Sequence, residues 1–274
     1  MLVSDMKDKL RQQTVHSWRE LIDEVGRAQK VLKVGTEEEL WFRGVSSNRH
    51  GLIPSLFRSV PANVLGKHKQ LVKIEENLFF EFLQKARISG SQANDHWDTL
   101  FLMQHYWVPT RLLDWTEVLG VALHFAVSNL PADTTQTPRL FLMNPYEWND
   151  KHTSMGRGPA WPRYFGYDVE SEYFYEYGEL LVESDLIDWK NPVALYPSQR
   201  DARLAAQRGF FTIHGTDVRA MEEIAPRSLL AIDLAPAAVQ EVRENLHHCG
   251  ISEYALFPDL EGLARQLKQR YQLK

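Results

Sequence analysis

The sequence predicts an α+β fold, a single mixed domain in which an N-terminal helical layer packs on a central β-sheet. Three observations carry that expectation. Apolar residues in the first half recur at helical spacing, and short apolar runs in the second half are bounded by turn residues. No repeat, low-complexity tract or linker-like stretch divides the 274 residues. The expected organisation is an N-terminal helical segment over 1–38 and a main α/β unit over 39–274, together one compact body.

Ser17 and Glu20 form an S-x-x-E capping box, and with Trp18, Leu21, Ile22 and Val25 they predict a helix from about Ser17 to Leu32. Residues 39–43, ELWFR, predict a short strand ended by Gly44, and the polar, proline-bearing stretch from Ser46 to Pro61 predicts a loop. Leu71, Ile74, Leu78, Phe82 and Ala86 share one face of a helix running to Ile88. Asp95 and Asp98 open the next helix, which should reach about Trp107 and stop at Pro109 because the residue before proline avoids helical angles. Thr116 then caps TEVLGVALHFAVSNL, which is apolar on nearly every side and is expected to be the central buried helix.

The second half reads as strands in RLFLMN (139–144), VALYP (193–197), GFFTIHG (209–215) and SLLAIDL (228–234). Ser198 and Asp201 cap a helix closed by Gly209. Further helices run from near Pro236 to Gly250 and beyond Pro258. The stretch 144–179 is rich in Gly, Pro, Trp and Tyr and too long for a plain connector, so a functional loop or lid is expected there.

Composition narrows the function. The chain is 44% hydrophobic and 24% charged, as in an ordinary globular protein, and its net charge of −5 argues against binding nucleic acid or anionic membrane through overall charge. One cysteine, Cys249, excludes an internal disulfide and a cysteine-based zinc cluster. With no apolar leader and no membrane-spanning run, a cytoplasmic protein without a membrane partner is expected. G-x-G-x-x-G, G-x-x-x-x-G-K-[ST], H-E-x-x-H and G-x-S-x-G are all absent, and no metal is expected.

Three stretches place ionisable groups among apolar ones, which is costly unless they are paired or used on a ligand. In WFRG, strand alternation sets Trp41 and Arg43 on one face, and Gly44 allows a close approach by backbone or ligand. Arg43 suits a bidentate phosphate or carboxylate, or an internal acid. In QHYWVPTRLLDWT, Arg111 and Asp114 either pin a turn as a pair or face a ligand, and His105 beside Tyr106 either supports the helix end or contacts that ligand. In YPSQRDARLAAQRGFFTIHG, Arg200, Arg203 and Gln207 share a helix face that lines a pocket or meets solvent.

WFRG, QHYWVPTRLLDWT, AQRGFFTIHG and ISEYALFPDLEGLA together resemble the FRG-domain family, named after its Phe-Arg-Gly motif, here Phe42-Arg43-Gly44. The resemblance runs from about Glu39 to Leu263. A looser similarity links the aromatic-Arg-Gly strand to ADP-ribosyltransferase-like folds, and it implies NAD as substrate. In that reading Arg43, with Gly44, Tyr106 and Arg111, holds the nucleotide. His105, Asp114, Gln207 and Glu253 are the candidates for the chemistry; such folds often carry a catalytic glutamate on a late strand, and this sequence departs from that, offering Gln207 instead, with Glu253 as a substitute.

The resemblance thus implies an NAD-hydrolysing or ADP-ribosylating toxin or effector, for example in phage defence. Its partners would be a nucleotide-like anion, a macromolecular acceptor and a neutralising protein. Two other readings stand beside it: a nucleic-acid module using Arg111, Arg200 and Arg203 with tryptophan platforms, and a non-catalytic sensor or interaction domain whose arginines are internal struts.

Overall fold

The computed structural model describes residues 9–88, 95–128, 130, 135–153, 163–165, 177, 190–197, 202–271 and 273. Its strands are β1 (Arg11–Val15), β2 (Trp41–Val45), β3 (Leu112–Thr116), β4 (Arg139–Met143), β5 (Arg163–Phe165), β6 (Val193–Pro197), β7 (Gly209–Ile213) and β8 (Leu229–Leu234). Its helices are α1 (Trp18–Val31), α2 (Ser55–Ser59), α3 (Ala62–Leu65), α4 (His68–Ile88), α5 (His96–His105) and α6 (Leu119–Val127). They continue with α7 (Pro145–His152), α8 (Ala202–Gln207), α9 (Met221–Ile224), α10 (Pro236–His248), α11 (Glu253–Leu256) and α12 (Leu260–Arg270).

The eight strands make one mixed sheet in the order β1-β8-β4-β2-β3-β7-β6-β5, with β1 parallel to β8 and β5 parallel to β6. This is the α+β arrangement expected. β4, β7 and β8 are buried along their whole length, which explains why they read as largely apolar runs with little alternation. One face carries two apolar clusters. α1, α6 and α10 cover the β1-β8-β4-β2 half around Phe42, Leu140 and Ile232, while α4 and α5 cover the other half around Leu112, Phe211 and Ile213. Trp41, Leu113, Trp115, Phe141 and Trp148 fill the opposite face across both halves.

Capping chemistry sets several helix ends. The Ser17 hydroxyl accepts from Glu20 N, and Glu20 reaches back to His16 N at 2.7 Å, closing the start of α1. Asp95 accepts from Asp98 N at 2.7 Å at the start of α5.

Several local expectations change. Residues 11–15 form an edge strand, so the N-terminal segment contributes β1 to the sheet as well as helix α1. Within the stretch expected as loop, Ser55–Ser59 turns helical, and so do the residues just after Pro61. Leu112–Thr116 is strand β3, not a turn, because it pairs with all five residues of β7. The helix after it therefore starts at Leu119, and the Thr116 hydroxyl accepts from Val118 N instead of capping. Part of the expected 144–179 loop is α7, capped by Asn144. Beyond Thr153 the rest of it, apart from 163–165 and Tyr177, lies outside the described residues, as do Ser198, Arg200 and Asp201.

Gly44 is explained by packing. A Cβ there would lie 1.8 Å from the Ala122 carbonyl oxygen, so the glycine lets the α6 backbone lie directly on β2. Of the two close approaches expected at Gly44, by backbone or by ligand, the structure shows the backbone one. Gly44→Ala should cost about 1–3 kcal/mol through overpacking, read as a lower urea midpoint. A variant as stable as the parent would mean that α6 can shift freely.

Candidate functional site

The sheet has a seam at its centre. β2 pairs with β4, and β3 with β7, over five residues each, but β2 and β3 share only the Phe42–Thr116 register pair. Beyond that pair a side chain bridges the two strands. Arg43 Nη1 donates to the Asp114 carbonyl at 2.6 Å and to Asp114 Oδ2 at 3.3 Å.

The Asp114 carboxylate is held from a second side. Gln104 Nε2, in the last turn of α5, donates to its two oxygens at 3.1 and 3.0 Å. Gln104 is oriented in turn by the Thr110 hydroxyl, which donates to its Oε1 at 2.5 Å. Thr110 is itself fixed to α2 through Ser55, whose hydroxyl accepts from Thr110 N at 3.1 Å. Despite these bonds the Asp114 side chain is 56% exposed, whereas that of Arg43 is 20% exposed. Arg43 Nε is buried and has no hydrogen-bond partner among the described residues. Arg58 lies close enough to feel both groups. Burial and then the Arg43 charge lower its pKa, while Asp114 opposes them.

α5 ends beside this centre in a Schellman motif. Val108 N donates to the Met103 carbonyl and Trp107 N to that of Gln104. Trp107 thus occupies the position that glycine favours, with φ +63, and it is 79% exposed. Its neighbour Tyr106 is 61% exposed and meets the His105 ring edge-on. The Arg203 guanidinium lies 5.6 Å from the centre of the Trp107 ring. A left-handed tryptophan costs about 1 kcal/mol relative to glycine. Trp107→Gly should therefore raise stability by about that amount in chemical denaturation; a loss would mean that the ring supports the fold.

The other expected site residues sit elsewhere. Arg111 is fully buried, with Nε donating to the Glu75 carboxylate oxygens at 2.8 and 2.9 Å and Nη1 to the carbonyls of His214 and Gly215. This corrects the expected pair: its acid is Glu75, because β3 turns Asp114 towards Arg43 and Gln104, and its full burial sets it away from solvent. Glu253 starts helix α11, and its oxygens meet His124 and Arg265, each at 3.0 Å. The His124 hydrogen bond, against burial and with help from Arg265, lowers its pKa. The Gln207 side chain donates to the Leu256 carbonyl, and its backbone carbonyl accepts from the Thr116 hydroxyl. Gln207 and Glu253 tie the C-terminal helices to the rest of the fold.

Sequence reasoning missed Gln104 and Arg58 as neighbours of Asp114, and Glu75 as the partner of Arg111. Glu75 did leave a signal: it falls in the apolar stripe of α4 between Leu71 and Leu78 and is only 1% exposed. A carboxylate there requires a buried partner. Gln104 left none, since a glutamine in a helix's last turn is common on any surface.

Arg43, Gln104 and Asp114 all lie in residues 38–135, which match the family model described as FRG domain. Residues 38–135 are an FRG domain. The match is shorter than the resemblance, which extends to Leu263. No curated protein and no solved structure matches the chain. Among the described residues no helix is long and apolar enough to cross a membrane, and no group of three or more His, Cys, Asp or Glu is placed to hold a metal ion.

Proposed function

We propose that the FRG domain binds a nucleotide-like anion at the seam between β2 and β3, with NAD as the substrate to test first. The observation that supports this reading is the Asp114 carboxylate, held by Arg43 and Gln104 yet turned to solvent. Stability gives little reason for it. An exposed ion pair is worth about 0–1 kcal/mol, and an unpartnered buried guanidinium N–H costs about 1–3 kcal/mol.

The chemistry follows from charge. Arg43 and Arg58 offer forked donors to a diphosphate. When the nicotinamide–ribose bond breaks, nicotinamide leaves with the bonding electron pair and positive charge builds on the ribose. A fixed carboxylate such as Asp114 stabilises that charge. An oxygen of water or of a macromolecular acceptor then adds to the ribose carbon and releases its proton to solvent. Either outcome consumes NAD, which is how a protein of this kind would act as a toxin or effector in defence.

The test pairs activity with stability. Purified protein incubated with NAD and cell extract should deplete NAD or label an acceptor. Asp114→Asn should slow this by about 10²–10³-fold, and Arg43→Met should weaken binding of ADP-ribose, both with melting curves close to the parent's. Unchanged NAD together with no binding of ADP-ribose would remove the reading.

A further inference from the structure

We infer that Trp107 is the stacking platform for an aromatic base carried by the same anionic ligand, so that the site selects nucleotides over bare phosphates. The inference rests on the nucleotide reading of the Asp114 centre, but a separate set of observations carries it. Trp107 has φ +63 at a position that favours glycine, and its side chain is 79% exposed. The fold thus carries backbone strain to present a large ring to solvent, and strain of this kind concentrates where ligands are held.

The platform is coupled to the carboxylate through one residue. Gln104 accepts the Trp107 N–H on its backbone carbonyl and donates to Asp114 through its side chain. The Trp107 backbone is therefore tied to the same residue that holds Asp114. Arg203, 5.6 Å from the ring centre, adds positive charge beside it and also lies 4.4 Å from the Phe257 ring. Tyr106, largely exposed, widens the aromatic surface. An aromatic face beside a guanidinium fits a ligand that joins a flat base to phosphate, and every base has a π-face on which such stacking is tolerant. With a net charge of −5 the chain lacks the overall positive field that favours a long nucleic acid, so the occupant is a mono- or dinucleotide.

Calorimetric titration with ADP-ribose and with inorganic pyrophosphate separates the two readings. Trp107→Ala and Trp107→Gly should bind ADP-ribose on the order of ten- to a hundredfold more weakly and pyrophosphate as the parent does, while Trp107→Tyr stays within a few-fold. Arg43→Met should weaken both ligands. Loss of both ligands in Arg43→Met with unchanged ADP-ribose affinity in Trp107→Ala would overturn the stacking role and leave the anion site standing. A parent protein that binds neither ligand would overturn both. A single-stranded oligonucleotide that binds more tightly than ADP-ribose, with the same dependence on Trp107, would overturn the choice of a small nucleotide.

Discussion

Lowering the pH from 6.5 towards 4 should remove several kcal/mol of stability, and the source is His214. The residue follows β7, is fully buried, and neither ring nitrogen makes a well-formed hydrogen bond among the described residues. Burial, and then the neighbouring Arg111 charge, hold its pKa at about 3 against an ordinary 6.5. The Leu52 backbone and Asp217 pull the other way, and Arg43 adds to the depression. Between those values the unfolded chain binds a proton that the folded chain refuses. The full stability is therefore present above about pH 6.5 and is lost as the pH falls towards 3. At about 1.36 kcal/mol per pKa unit the whole loss approaches about 4–5 kcal/mol.

His214→Phe isolates the effect. The imidazole already meets the Phe57 ring edge-on, with ring centres 5.7 Å apart, so a phenyl ring keeps an aromatic contact and gives up no well-formed hydrogen bond. Urea unfolding at stepped pH should show the variant close to the parent at pH 7 and flatter between pH 6.5 and 4. Equal slopes for the two proteins would show that His214 is protonated in the fold or that other groups govern the acid limb.

What the sequence revealed and concealed follows from the range of the interactions. Local chemistry was legible: the Ser17 and Asp95 caps and the apolar runs of β4, β7 and β8 all form as expected, because each depends on residues a few positions apart. Pairing between distant segments was not. Arg111 and Asp114 stand three apart and invite a pair, yet Arg111 precedes β3 and reaches Glu75 on α4, while Asp114 lies within β3 and meets Gln104 on α5. Arg111 therefore enters the core, and Asp114 faces the seam. Arg43 could be singled out because an arginine between buried aromatic and glycine residues is conspicuous in one dimension. The gap it bridges could not, since that gap exists only where two strands 71 residues apart diverge. β1 was missed for a related reason. Four of its five residues are exposed, so it carries no alternation and forms only because β8 offers an open edge.

Breaking the Arg111–Glu75 pair should be more damaging than any change at the seam. The guanidinium is fully buried and joins α4 to the start of β3 and the end of β7. Beyond its bonds to Glu75 it reaches the His214 and Gly215 carbonyls at 3.0 and 3.2 Å. Burial alone would lower its pKa, but Glu75 overrides this and the net shift is upward, so the charge stays. Tyr177 also donates to Glu75, and burial followed by that carboxylate pushes the phenol well above its ordinary range. Arg111→Met strands a buried carboxylate with the phenol as its remaining donor and should cost about 3–5 kcal/mol in chemical denaturation. Adding Glu75→Leu removes the stranded charge, and since apolar replacements of buried pairs are often near neutral, at least half of the loss should return. The recovery stays incomplete because the His214 and Gly215 carbonyls still lack this donor. The double variant also tests Arg111's expected ligand role directly. If it regains stability and binds ADP-ribose like the parent, the residue acts only as a strut; if it folds normally but fails to bind, Arg111 belongs to the ligand site after all.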